Sequence, residues 1–179
     1  MALPRGGPRL SLTETALLLC ILAIVLAVFV PTFIRRVRTN KISEAAELLQ
    51  EMSDRSAAYY ATSWTTGKRF CLPPGAGPTP AAPTVDSAEV DFSDEEQGGH
   101  ASWAALGFQP DRPVRFSYTY APSDHGCDLN ADHEVHIVSF RAEGDLDADG
   151  VRSIFERRAT IDAKGWKPAE TLHVHQRVE

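Results

Sequence analysis

The chain has 179 residues, 43% of them hydrophobic and 23% charged, with a net charge of −6 and a mean hydropathy of −0.22. This is one domain plus an appendage; it excludes a fibrous chain, a disordered polyelectrolyte and a polytopic membrane protein, but leaves room for a single span. Residues 1–41 carry Arg5, Arg9, Arg35, Arg36, Arg38 and Lys41 against Glu14 alone, and the acidic remainder argues against nucleic acid as a partner.

From Ala16 to Ile34 there is no charge and Thr32 is the only hydroxyl. A spanning helix needs about 20 such residues at 1.5 Å each. A cleaved secretory signal has an apolar region of about 7–15 residues before a small-residue site. This run is longer and ends in Pro31-Thr-Phe-Ile-Arg-Arg-Val-Arg38, so the expectation is an uncleaved span over about 15–34, with Cys20 a small apolar residue inside it. Beyond it no Gly or Pro intervenes as far as Ala61, and Ile42, Ala45, Leu48, Leu49, Met52 and Ala57 recur at three- and four-residue steps. The pattern predicts one helix over 10–62, apolar all round in its first half, striped in its second, and kinked at Pro31.

Leu10-Ser-Leu-Thr-Glu14, the apolar run and Pro31-Thr-Phe33 together resemble the N-terminal signature of type IV pilins and pseudopilins. Counted from Leu10, Glu14 is fifth and Pro31 twenty-second, the two positions that the family marks with Glu and Pro. Arg9 stands where the family has Gly before the cut, and Gly6 and Gly7 are out of register. The resemblance implies a leader at 1–9, processing between Arg9 and Leu10 by a prepilin peptidase, and a bacterial inner-membrane protein with an extracytoplasmic head. It also implies polymerisation with other pilin-like subunits through the helix, in which Glu14 neutralises a neighbour's N-terminal amine. Ser11-Leu-Thr-Glu14 is equally a capping box, which would explain Glu14 in any membrane anchor.

Topology draws two opposed signals. Arg35, Arg36, Arg38 and Lys41 outnumber the charges before the span, which by itself places the body in the cytoplasm. Cys71 and Cys127 form an isolated pair that reads either as a disulfide of an oxidising compartment or as two unrelated buried thiols. The resemblance implies the head outside and the disulfide.

Residues 63–112 are rich in Pro, Gly and acids and form a long αβ-loop, with a short helix expected at Ser102–Leu106, closed by Gly107 and anchored by Trp103 and Phe108. An antiparallel β head is expected over 113–179. Val114–Tyr120 alternates strictly, with Phe116, Tyr118 and Tyr120 on one face; Glu134–Arg141 is expected to be buried on part of both faces. Arg158–Ala163 and Thr171–Val178 are the remaining strands, around a Lys-Gly-Trp-Lys-Pro turn. The fold class is therefore α+β, a long N-terminal helix on a small antiparallel sheet, which is also what the resemblance implies.

No catalytic constellation stands out, and the expectation is that the chain is not an enzyme. His133 and His136 fall one residue short of a zinc-protease helix and face opposite sides of a strand. His173 and His175 share a strand face without a nameable third ligand, and read as exposed strand histidines. The segment Asp145–Glu156 matches D-x-D-x-D-G-x5-E, with Asp145, Asp147, Asp149, the Val151 carbonyl, Ser153 and Glu156 as calcium ligands and Gly150 at the sharp turn. The expected affinity is weak, about 10⁻⁴–10⁻³ M. These features support a pilin-like filament subunit. The alternatives are a type II secretion pseudopilin, or a monomeric membrane-anchored calcium-dependent binding module.

Overall fold

Helix α1 (Leu12–Ala61) occupies the stretch whose only helix-breaking residue is Pro31, and its backbone is assigned helical through that proline. The computed structural model describes residues 11–62, 67, 69–130, 134–145, 150–168 and 171–175, without the side chains of 32–41. The chain divides into two compact units, Met1–Lys41 and Ile42–Glu179.

In the first unit, Leu12–Pro31 has a mean hydropathy of 2.6 and is long and apolar enough to cross a membrane. Leucine, isoleucine, valine and phenylalanine side chains are exposed along it, from Leu12 to Val30.

The second unit is α+β. Residues 42–61 of α1 pack on an antiparallel sheet of β1 (Ala76–Thr79), β2 (Ser117–Pro122), β3 (His136–Gly144), β4 (Ser153–Asp162), β5 (Gly165–Pro168) and β6 (His173–His175). The strand order is β1-β2-β3-β4-β5, and β6 pairs with another part of β4. A short helix, α2 (His100–Leu106), ends at Gly107 in the left-handed conformation.

The stripe on α1 buries Ala45, Leu48, Leu49, Met52 and Tyr60 against the inner sheet face. That face presents Phe116, Tyr118, Tyr120, Val138, Phe140, Ala142, Phe155, Ala159 and Ile161, alternate positions of three strands. Trp103 and Phe108 do act as anchors: Phe92 meets their rings edge-on at 5.4 Å each, and the Trp103 indole N–H donates to Thr79 Oγ1 at 3.0 Å. Burying one such aromatic contributes roughly 1.5–3 kcal/mol.

Several strands differ from the sequence pattern. Val114 does not open β2; it bridges Ala88, a partner in the loop. Only one face of β3 is buried: His136, Val138, Phe140 and Ala142 face the core, whereas Val135 and Ile137 are 63% and 45% exposed. On the outer face of β3, Ile137 is exposed and Ser139, Arg141 and Glu143 are half-buried. β4 starts at Ser153, not Arg158, because its pairing with β3 runs unbroken from His136↔Ile161 to Gly144↔Ser153. The Gly-Trp-Lys-Pro segment expected as a turn is β5, and the turn is Asp162–Gly165, with Gly165 at φ 104°. β1 lies in Ala-Gly-Pro-Thr, a composition that disfavours strands, and was not expected.

Candidate functional site

The start of α1 carries the acid singled out by the sequence. The Ser11 backbone N–H donates to Glu14 Oε2 at 2.8 Å, and the Glu14 N–H donates to Ser11 Oγ at 3.3 Å. Two otherwise orphan N–H groups are thus satisfied reciprocally, a capping box in full. Glu14 is the only charged residue between Leu12 and Pro31. Arg9 and Leu10 lie outside the described residues.

Cys71 and Cys127 are disulfide-bonded, closing a sequence separation of 56. Leu72 and Gly126 exchange backbone hydrogen bonds beside them, at 2.7 and 2.9 Å, so the αβ-loop is clamped to the segment after β2 by covalent and hydrogen bonds together. Cys20, in the apolar half of α1, is free.

The β3–β4 turn holds part of the proposed calcium loop. Asp145 Oδ2 accepts from the Gly150 N–H at 3.0 Å, and Gly150 sits at φ 86° as a sharp turn requires. Asp145 Oδ1 is buried and has no hydrogen-bond partner among the described residues. Asp147 and Asp149 lie outside the described residues. Ser153 closes the turn from the first position of β4, and Glu156 lies three residues further along that strand. Both belong to β4, where odd positions face the core and even positions face outward. Ser153 is buried opposite Gly144, at a point so close-packed that a Cβ on Gly144 would lie 2.6 Å from the Phe116 ring. Glu156 faces outward, accepting from Ser139 Oγ at 2.5 Å and Arg158 Nε at 2.7 Å. The Arg158 bond, with help from Ser139, holds its carboxyl below the ordinary value of 4.5.

A buried acid on α1 was not singled out by the sequence. Glu44 is 6% exposed and accepts from the Arg115 backbone N–H at 2.8 Å, from Arg115 Nη1 at 3.3 Å and from the Tyr118 hydroxyl at 3.4 Å. Burial first, and the Glu44 charge second, push the Tyr118 hydroxyl far above its ordinary range, so it remains a donor. One turn further along, Glu47 meets Arg112 at 2.6 Å. The available signal was a glutamate inside the apolar stripe, between Ile42 and Ala45.

No family model, curated protein or solved structure matches the chain. Among the described residues no three His, Cys, Asp or Glu side chains converge as a preformed metal cage. What the geometry displays is, in the first unit, an apolar helical segment with a capped acid at its start, and in the second a disulfide-clamped head in which Glu44 ties residues 42–61 of α1 to the segment before β2.

Proposed function

We propose that this chain is a type IV pilin-like filament subunit that is held in a bacterial inner membrane by Leu12–Pro31 and assembles through that helix. The observation that carries the proposal is the joint placement of Glu14 and Pro31 on one helix, which then continues without Gly as the packed helix of an α+β head. The head is extracytoplasmic in this reading, the compartment in which a Cys71–Cys127 disulfide persists. Its partners are further copies or related subunits, and a type II secretion pseudopilin is the nearest variant of the same proposal. No catalytic role and no nucleic-acid partner is assigned. Calcium enters the proposal in reduced form, at the β3–β4 turn, with Asp145, Asp147, Asp149 and the Val151 carbonyl as ligands and without Ser153 or Glu156.

One observation favours a second reading. The Glu14 carboxylate already has a partner in the Ser11 N–H, so a monomeric membrane anchor needs no neighbour to satisfy it. N-terminal sequencing of the protein from cells that make it separates the two. A mature chain starting at Leu10 supports the filament subunit; a chain retaining Arg9 supports the anchor.

A further inference from the structure

Strand pairing brings together on the outer sheet face two histidines and a carboxylate that are remote in sequence. β6 runs antiparallel to the first part of β4, with His175 opposite Ile154, Val174 opposite Phe155 and His173 opposite Glu156. Phe155 is 1% exposed and faces the core. Alternation therefore turns His173, His175 and Glu156 to the other face. Directly opposed residues have Cβ atoms about 4.5–5.5 Å apart, and two histidines at i and i+2 lie about 6.6 Å apart along the strand. Both histidines are exposed.

We propose that His173, His175 and Glu156 bind a divalent transition-metal ion of the zinc class through two imidazoles and one carboxylate, with water completing a tetrahedral shell. The sequence supplied the two histidines but no third ligand; the register of β6 on β4 supplies it. Imidazole nitrogen selects zinc, copper or nickel over calcium or magnesium. In their present rotamers the three side chains do not converge on a point, so occupation requires the two exposed rings to turn toward Glu156. The bonds that Glu156 accepts from Ser139 and Arg158 both fall on Oε1, which leaves Oε2 to meet the ion. Arg141, opposite Glu156 on β3, is a second cation on this face. Arg158 and Arg141 keep the carboxylate ionised but repel an incoming ion, which limits the affinity. The site shares no proposed ligand with the calcium turn and is independent of the filament reading.

The test is titration of zinc chloride into the full chain in detergent, by calorimetry and by competition with a chromogenic chelator. His173→Ala, His175→Ala and Glu156→Gln are each expected to weaken binding by at least about tenfold, the scale that even an outer-shell partner reaches. Arg158→Gln is expected to tighten it severalfold, because it removes a positive charge that repels the ion. The histidines are exposed, so their variants should melt like the wild type in the presence of chelator. Absence of zinc binding by the wild-type chain overturns the proposal, as does unchanged binding by the His173→Ala/His175→Ala double variant. Wild-type affinity in Glu156→Gln overturns the three-ligand site.

Discussion

Glu44 on α1 accepts the backbone N–H of Arg115 at 2.8 Å across 71 positions of sequence. The same carboxylate accepts the Arg115 guanidinium and the Tyr118 hydroxyl, so one buried acid fastens the helix to the segment that becomes β2. Glu44→Ala leaves those donors without their acceptor and is expected to cost about 2–4 kcal/mol. Glu44→Gln keeps an acceptor oxygen and should cost less. Urea unfolding of a soluble fragment starting near Thr39 measures both; equal stability of wild type and Glu44→Ala would contradict the anchor role.

Glu156 makes a pH-dependent contribution with a defined sign. Its folded-state pKa lies below the ordinary 4.5, through the hydrogen bonds from Arg158 and Ser139, so the folded state binds fewer protons than the unfolded one as pH falls through that range. The stabilisation is fully present above the ordinary value and is lost as pH falls through the lowered one. The stability difference between wild type and Glu156→Gln should be up to about 1 kcal/mol near pH 7 and shrink below pH 4.5. A difference that does not change between neutral and acid pH would contradict the assignment.

Much of the fold was legible because two periodicities are clean. Ala45, Leu48, Leu49 and Met52 mark the packed face of α1, and Phe116, just before β2, with Tyr118 and Tyr120 inside it marks the inward side of that segment. β4 was misjudged because Asp145–Glu156 satisfies a calcium-loop spacing, while residues 153–157 also fit a strand with Phe155 inward. Local spacing could not reveal that β3 would pair through to Ser153. Glu44 and the Glu156–His173 pairing were illegible for the same reason. Each depends on a partner brought in by tertiary contact or strand register, not by neighbours in the chain.

The calcium turn is tested by its ligand set. Millimolar calcium should raise the melting temperature of the same fragment, with a gain of about 1.4 kcal/mol at tenfold excess over the dissociation constant. Asp147→Ala should abolish the effect and Glu156→Gln should leave it intact, since Glu156 faces outward beside Arg158. Identical melting curves with calcium and with chelator would remove the ion from the account.

The Cys71–Cys127 bond closes a separation of 56 residues, worth about 4 kcal/mol on the chain-entropy model. Thiol labelling of unreduced, denatured full-length protein should modify Cys20 alone. The Cys71→Ser/Cys127→Ser variant should unfold at markedly lower urea. Labelling of all three cysteines in protein from its own cells would contradict both the bond and the extracytoplasmic head.

The central claim is that α1 assembles subunits as well as anchoring them. The direct measurement is to shear surface filaments from producing cells and probe the filament and membrane fractions for wild type and Glu14→Ala. The account predicts wild-type chain in the filaments, and a Glu14→Ala chain that inserts, folds and forms its disulfide but stays in the membrane. A wild-type chain confined to the membrane as a monomer, or Glu14→Ala entering filaments as the wild type does, would contradict it.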